Sequence, residues 1–513
     1  MTPSRLLIPT GLLLAVLLLG MVSSLAYPRT AWDSPTGTYV GQIILEGGTL
    51  YRDVWDSRGP GYFLVFALQL LLIGKSAAAM RLFDLLWQCA TAFVLARAGR
   101  RAYGTPSAGA IAGFAYLVAY YSQNYWSWTE PEGYLGLPLS LAVLLVFRAR
   151  ESERLYLWAA AAFLVGFGSL LKIPMAGFGL LLVYAALAEE VFSFRKTFPR
   201  LAAILCGAAL PVLACCFYFY SQGVLQDFLA NQLVWAPQYA KKMREHFEFA
   251  CLLKALARPV MGAPYGMGAL GLASWILQRT RRERMPLPTR LLWVWLALGV
   301  LLVLLQSRFA PMHFLVVIPP LALLVAGAID QVIFPASTKS ALPRTVVWIL
   351  LAFTLVVPVV KLAKHTQYAW NVYFREHQRD EILELGRHLR AHTSPDETVF
   401  VWGDVPGIYI YAERKSSSRF IAAYFVATHW EGLDFQRIFM KEFTSRPPRF
   451  FVLWKDDLNS ECSSILINYR ETLREFGALQ KIVDAQYVVD QTTDHYVLYR
   501  QKVLAPPPAV QPR

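Results

Sequence analysis

The sequence predicts an all-α polytopic membrane bundle of about eleven transmembrane helices, followed by a small C-terminal extracytoplasmic α/β domain. Of the 513 residues, 56% are hydrophobic and only 16% are charged, and the mean hydropathy is +0.39. Such a chain is too apolar to be a large soluble globule. The Lys and Arg residues behind the net charge of +14 gather in short clusters between apolar runs, which is typical of cytoplasmic loops and argues against a nucleic-acid partner.

Eleven apolar segments approach the roughly 20 residues that a helix needs to cross a bilayer. They cover residues 6–26, 77–96, 106–122, 133–148, 155–171, 174–189, 201–220, 260–278, 290–306, 312–329 and 345–362. Basic clusters follow every second segment, as the positive-inside bias requires. We therefore expect a cytoplasmic N-terminus and an extracytoplasmic region after residue 362.

One further apolar run, GYFLVFALQLLLIG at 61–74, is interpreted as an interfacial or re-entrant helix. Counting it as a span would move every later basic cluster to the outside. Residues 27–76 then form a long first extracytoplasmic loop within a transmembrane module of residues 1–362. Residues 1–26 also resemble a secretory signal, but the apolar stretch is long and favours a retained anchor.

The composition changes after residue 365. Strand-like runs at 398–403, 449–455 and 495–501 alternate with amphipathic helical patterns at 375–392 and 434–446. These patterns predict an extracytoplasmic α/β domain over 365–502. The tail over 503–513, rich in proline, is predicted to be disordered.

The predicted topology collects ionisable residues on the outer face. They are Asp33, Asp53, Asp56, Arg58, Glu130, Glu132, Lys172, Arg308 and His313. Such residues beside a bilayer are costly unless they are paired, hydrated or used, so their convergence suggests a functional site. Carboxylates can act as a general base or as metal ligands, whereas Arg, Lys and His suit a phosphate.

Four motifs on that face follow a known order. Asp33 begins a first loop that continues through RDVWDSRGPGY, TEPE follows at 129–132, GSLLKIP at 168–174 and RFAPMHFLVVIPP at 308–320. This arrangement resembles the GT-C superfamily of integral-membrane glycosyltransferases, in the branch that contains protein O-mannosyltransferases and the lipid A aminoarabinose transferase (glycosyltransferase family 39-like). The chain departs from that branch where its usual Lys-Pro-Pro is Arg58-Gly-Pro.

The resemblance implies a polyprenyl-phosphate-linked sugar donor and transfer on the extracytoplasmic face, with inversion. By position, Asp33 would be the general base, and Glu130 or Glu132 would orient the acceptor or bind a divalent cation. The donor phosphate would be bound by Arg58, Lys172, Arg308 and His313. No organic cofactor is implied, and a requirement for Mg²⁺ or Mn²⁺ stays open.

The expected partners are the lipid-linked donor, membrane lipid and an envelope acceptor, which could be a lipid, a glycan or a protein. The expected location is a bacterial plasma membrane. Sugar and acceptor identity cannot be read from the sequence. Three alternatives remain: a lipid-linked polysaccharide polymerase or ligase, a transporter or flippase, and a non-catalytic scaffold for envelope assembly. A transporter would carry ionisable residues inside its spans. In this chain Asp84, paired with Arg81, is the only clear carboxylate in an early span.

Overall fold

The computed structural model describes most of the chain. The described residues are 17–25, 34–123, 127–188, 193–245, 249–258, 261–280, 285–306, 309–333, 344–374, 381–455 and 468–502. Two of the predicted site residues, Asp33 and Arg308, lie outside these ranges, as do most of the first apolar segment and the predicted disordered tail.

The chain divides into two compact units. The helical unit comprises Met1–Ser34, Arg58–Leu225 and Lys242–Gln378, and the sheet unit comprises Pro35–Ser57, Gln226–Lys241 and Arg379–Arg513. Two segments of the predicted module over residues 1–362, Pro35–Ser57 and Gln226–Lys241, are grouped with the C-terminal residues in this division.

The helical unit consists of helices and short connections in the residues described. The helices are α1 (described over 17–24), α2 (Ser34–Leu45, of which only Ser34 belongs to this unit), α3 (Pro60–Leu72), α4 (Ala77–Tyr103), α5 (Pro106–Tyr121), α6 (Pro131–Ser152), α7 (Leu155–Leu171), α8 (Gly179–Leu187), α9 (Phe194–Ser221), α10 (Leu225–Leu229, entering the sheet unit), α11 (Ala236–Glu245, leaving it), α12 (Phe249–Ala257), α13 (Gly262–Thr280), α14 (Leu287–Gln306), α15 (Ile318–Ile333) and α16 (Arg344–Phe374). Two 3₁₀ helices, Ile173–Phe178 and Pro311–Val317, precede α8 and α15.

Helix boundaries follow local sequence signals. Ser76 and Thr105 cap α4 and α5 by accepting a hydrogen bond from a backbone N–H of the first turn. Gly104 ends α4 in the left-handed region, at φ +81°. Small residues then let α4 and α5 approach closely, since a Cβ built on Gly109 would lie 2.5 Å from the Ala96 carbonyl oxygen.

Helices overlap all eleven predicted apolar segments in the residues described. Five stretches are at least 18 residues long and apolar enough to cross a membrane: Ala77–Tyr103, Pro131–Ser152, Phe194–Ser221, Leu287–Gln306 and Pro311–Asp330. The apolar run at 61–74 forms the shorter helix α3. The chain is therefore a multi-pass membrane protein, and the count of eleven crossings remains a prediction.

The sheet unit contains a four-stranded mixed sheet in the order β1-β2-β4-β3. Its strands are β1 (Val399–Trp402), β2 (Phe450–Trp454), β3 (Tyr487–Thr492) and β4 (Tyr496–Gln501). The β1–β2 pair is parallel, whereas β4 is antiparallel to both β2 and β3. The helices around it are α17 (Glu381–Ala391), α18 (Gly407–Ala412), α19 (Tyr424–Ala427), α20 (Phe435–Ser445), α21 (Tyr469–Glu475) and α22 (Gly477–Gln486).

Two earlier pieces of chain pack into the sheet unit. Tyr39 accepts a hydrogen bond from the Ser416 backbone N–H at 2.9 Å, and burial raises the pKa of its phenol to about 12. The Trp55 ring contacts the rings of Trp235, Phe425 and Phe435, with centroids 4.5–5.7 Å apart. These aromatic contacts explain why the unit is assembled from three chain segments, because each segment alone would leave large apolar rings exposed.

Candidate active site

The TEPE motif forms the start of α6. Helix α6 begins at Pro131, whose ring fixes the backbone for the first turn, and Glu130 occupies the preceding cap position with φ −80° and ψ 159°. Glu132 lies in the first turn, where a carboxylate is favoured by the helix dipole. Both glutamates are only 2% exposed. Thr129, just before them, has the left-handed φ of +68°, a strained conformation of the kind often found at functional sites.

Glu132 is the centre of a buried charged cluster in the helical unit. Its Oε1 accepts a hydrogen bond from Nζ of Lys172, and the same oxygen lies 3.7 Å from Nε2 of His313. The side chains of Glu132 and His313 are 1% and 8% exposed, whereas that of Lys172 is 24% exposed. The structure thus brings together three of the predicted site residues, and Lys172 retains an exposed portion.

The two basic partners of Glu132 come from short breaks between helices. Lys172 follows the last residue of α7 in an extended conformation, and its backbone N–H donates to the Gly168 carbonyl at 3.1 Å. His313 lies in the 3₁₀ helix Pro311–Val317. Such breaks re-aim a side chain at a helix end, so both residues point at one carboxylate despite their distance in sequence.

Arg58 is tied to the same end of α7 through its neighbours. A Cβ on Gly59 would lie 2.1 Å from the Leu170 carbonyl oxygen, and one on Gly61 would lie 2.9 Å from the Leu170 carbonyl carbon. The backbone after Arg58 therefore passes against the residues that lead into Lys172. The Arg58 guanidinium lies 5.7 Å from the centroid of the Tyr62 ring, within cation–π range.

The glycine after Arg58 offers a direct test of this close approach. Gly59 has φ −69°, which any residue adopts, so only the lack of space opposes a side chain. We expect Gly59→Ala to lower the free energy of unfolding by about 1–3 kcal/mol, because overpacking forces the backbones apart. Gly179→Ala is the matched control, since a Cβ there meets nothing within 4 Å. Thermal unfolding of both variants in detergent measures the difference, and equal midpoints would contradict the close approach.

Hydrogen bonds connect these motifs to one another. The Tyr62 hydroxyl donates to the Thr129 carbonyl at 3.3 Å. The hydroxyls of Ser34 and Thr129 are 2.5 Å apart, so the residue that follows Asp33 contacts the turn that precedes Glu130. Sequence reasoning missed these connecting residues because hydroxyl groups in turns carry no distinctive pattern.

A further basic residue lies near the fourth motif. Arg258 Nη1 is 3.5 Å from the Phe309 carbonyl oxygen, and Phe309 has the left-handed φ of +49°. The loop that follows Arg308 is therefore contacted by a cation from the segment before α13.

The arrangement contains chemical groups that can bind a phosphate and a hydroxyl. The basic side chains of Lys172 and His313, which lie at two breaks between helices, can bind an anion. The buried Glu132 carboxylate holds the Lys172 ammonium group in a fixed direction. Among the residues that the structure describes, no group of three or more His, Cys, Asp or Glu side chains could hold a metal ion.

Comparison with known proteins identifies the architecture. Residues 57–215 match the family model for dolichyl-phosphate-mannose-protein mannosyltransferase. ArnT from Cupriavidus metallidurans bound to undecaprenyl phosphate matches with a TM-score of 0.59 at 16% identity, over 96% of this chain and 98% of that chain. Its apo state gives the same TM-score at 14% identity, over 96% and 97%. The chain has the GT-C fold.

The GT-C resemblance drawn from the four motifs is thereby confirmed. The apo Archaeoglobus fulgidus oligosaccharyltransferase matches this chain with a TM-score of 0.50 at 14% identity, over 97% of this chain and 75% of that chain. No curated protein matches the sequence. The segment matched by the family model contains Arg58, Glu130, Glu132 and Lys172, whereas His313 lies beyond it.

Proposed function

We propose that this GT-C chain transfers a sugar from a polyprenyl-phosphate donor to an envelope acceptor on the extracytoplasmic face, with inversion. The observation that carries the proposal is the buried cluster of Glu132, Lys172 and His313 at helix ends of a GT-C fold. A buried carboxylate with two basic partners is expensive in a membrane protein, and such clusters usually mark a site.

The proposed reaction is a single displacement at the anomeric carbon. Asp33 accepts the proton of the acceptor hydroxyl as the oxygen forms a bond to that carbon. The bond between the anomeric carbon and the phosphate oxygen breaks, and the polyprenyl phosphate leaves with the electron pair. Asp33 directly precedes Ser34, whose hydroxyl contacts Thr129, and this proximity in sequence supports the assignment of the base.

The phosphate is proposed to be bound by cations. Lys172 is the best candidate because its side chain is partly exposed and its ammonium group is oriented by Glu132. Arg58 and Arg308 would add donors that can bind phosphate oxygens in pairs, and His313 would stabilise the charge that grows on the leaving group. Glu130 would orient the acceptor.

The sheet unit would form an extracytoplasmic α/β domain, and the GT-C chain would reside in a bacterial plasma membrane with its N-terminus inside. ArnT of known structure is described with undecaprenyl phosphate, and that ligand supports a lipid-phosphate donor here by analogy of fold.

The decisive experiment measures sugar transfer in membranes that contain the overexpressed protein. Radiolabelled polyprenyl-phosphate hexoses and pentoses are supplied, and label is followed into lipid, glycan and protein fractions. We expect one donor to label one fraction, above membranes that lack the protein. Label that crosses the membrane while still on its lipid would favour a flippase. Extension of a lipid-linked glycan would favour a polymerase, and a well-folded protein without either activity would favour a scaffold.

A further inference from the structure

A second buried polar cluster lies on α4, behind the first turn of α6. Arg81 and Asp84 are each 1% exposed and Gln88 is 0% exposed. The three residues are spaced by three and four positions, so they lie on one face of the helix. Arg81 lies one helical turn before Asp84, at the spacing at which opposite charges on a helix attract each other. Two buried charges are costly unless neighbouring groups compensate them.

Helix α5 supplies two phenols to this cluster. The Tyr120 hydroxyl donates to Asp84 Oδ1 at 2.8 Å, and Gln88 Nε2 donates to the same oxygen at 2.9 Å. The Tyr116 hydroxyl donates to Gln88 Oε1 at 2.6 Å. Asp84 thus accepts hydrogen bonds from both helices, which fixes the Tyr120 ring against α6.

The same cluster contacts the turn that carries the two glutamates. Trp87 Nε1 donates to the Tyr134 carbonyl at 3.1 Å, and Trp128 Nε1 donates to the Tyr120 carbonyl at 3.3 Å. The Arg81 guanidinium lies 5.4 Å from the centroid of the Trp128 ring. These contacts lie on both sides of Glu130 and Glu132, at positions 128 and 134.

The phenols of α5 pack closely against the backbone of α6, so the position of α6 depends on theirs. A Cβ on Gly133 would lie 2.9 Å from the Tyr120 hydroxyl, and one on Gly136 would lie 2.8 Å from the Tyr116 hydroxyl. The hydroxyls that serve Asp84 and Gln88 therefore abut the α6 backbone directly. A shift of Tyr120 would be transmitted to the residue next to Glu132, because these groups are in contact.

We propose that Asp84, with Arg81 as its charge partner, is a positioning residue for the Glu130–Glu132 turn. This inference rests on the proposed function of that turn in sugar transfer. Asp84 touches neither donor nor acceptor; it holds Tyr120, and Tyr120 holds the start of α6. Without Asp84 the turn would still form, but the two glutamates would be held less accurately.

Asp84→Asn in the full-length protein tests the proposal through kinetics. We expect kcat to fall by about 10- to 100-fold, because small displacements of positioning groups cost this much, while KM for the lipid-linked donor changes by less than about twofold. Tyr120→Phe, which removes one hydroxyl contact, should give a smaller loss of kcat. Asp84→Glu should restore part of the rate, since it retains the carboxylate.

Glu151→Gln is the matched control. The Arg101–Glu151 ion pair also joins α4 to α6, but it lies nineteen residues after Glu132, roughly 28 Å along the helix. Breaking it should leave both kcat and KM unchanged within about twofold. The comparison separates a loss of helix–helix contact in general from a loss of the contact behind the turn.

Amide hydrogen exchange tests the same proposal without relying on sugar transfer. In Asp84→Asn, amides of residues 127–136 should exchange faster than in the wild type, while those of 144–152 should not change. Unchanged exchange over 127–136 overturns the proposal, and so does normal kcat in Asp84→Asn, or equal loss in Glu151→Gln. If Asp84→Asn fails to fold, Tyr120→Phe decides by the same criteria. A wild type that transfers no sugar would refute the proposed function instead, and the exchange result would still stand.

Discussion

We expect Asp33→Asn to reduce sugar transfer by about 10²–10⁴-fold, since positioned proton transfer contributes that much to a rate. Asparagine has the shape of aspartate but cannot accept the proton of the acceptor hydroxyl. The protein should still accumulate in the membrane to the wild-type level. Transfer is measured at matched expression with the donor that the wild type uses.

Asp53→Asn is the control for this variant, because it also removes a carboxylate of the first loop. Partial burial raises the pKa of Asp53, but hydrogen bonds from the Arg52 guanidinium and the Thr49 backbone N–H lower it below its ordinary value. This carboxylate thus has local partners, and we expect transfer within about twofold of wild type. Full activity in Asp33→Asn would exclude Asp33 as the base and favour the transporter or scaffold alternatives.

Much of the helical architecture could be predicted because each membrane helix requires a long apolar run in the sequence. The helices α4, α6, α7 and α14 lie where hydropathy and basic clusters indicated. The composition of the sheet unit could not be predicted. The Trp55 ring packs on Phe425, about 370 positions later, and the Trp235 ring packs on Trp430, almost two hundred positions later. Such long-range aromatic packing has no local sequence signal.

In the candidate site, the face on which residues lie could be predicted, but the contacts between their side chains could not. Topology predicted that Glu132, Lys172 and His313 lie on one face, but not that a single oxygen of Glu132 contacts both partners. The sequence predicts Asp84 as a carboxylate within a span, paired with Arg81. Its relation to the α6 turn depends on phenols from α5, and the sequence does not show which helix supplies the partners of a buried charge.

Lys172→Met should give the second large effect, on both stability and transfer. Methionine keeps most of the apolar stem but removes the ammonium group, so Glu132 would keep a buried charge without its closest cation. We expect the free energy of unfolding to fall by about 3–5 kcal/mol, the usual cost of breaking a buried ion pair from one side. Thermal unfolding in detergent and the transfer assay measure the two effects on the same preparation.

The double variant Lys172→Met/Glu132→Gln separates the two roles of the lysine. Replacing Glu132 as well removes the uncompensated charge, so much of the lost stability should return. If Lys172 served only to neutralise Glu132, transfer would return to the level of the single variant Glu132→Gln. If Lys172 binds the phosphate of the donor, the double variant should be stable and still far less active than Glu132→Gln, with the loss greatest at low donor concentration. Because the Lys172 side chain is partly exposed while that of Glu132 is buried, we expect the second result: Glu132 orients the cation, and the cation has a further anion to bind.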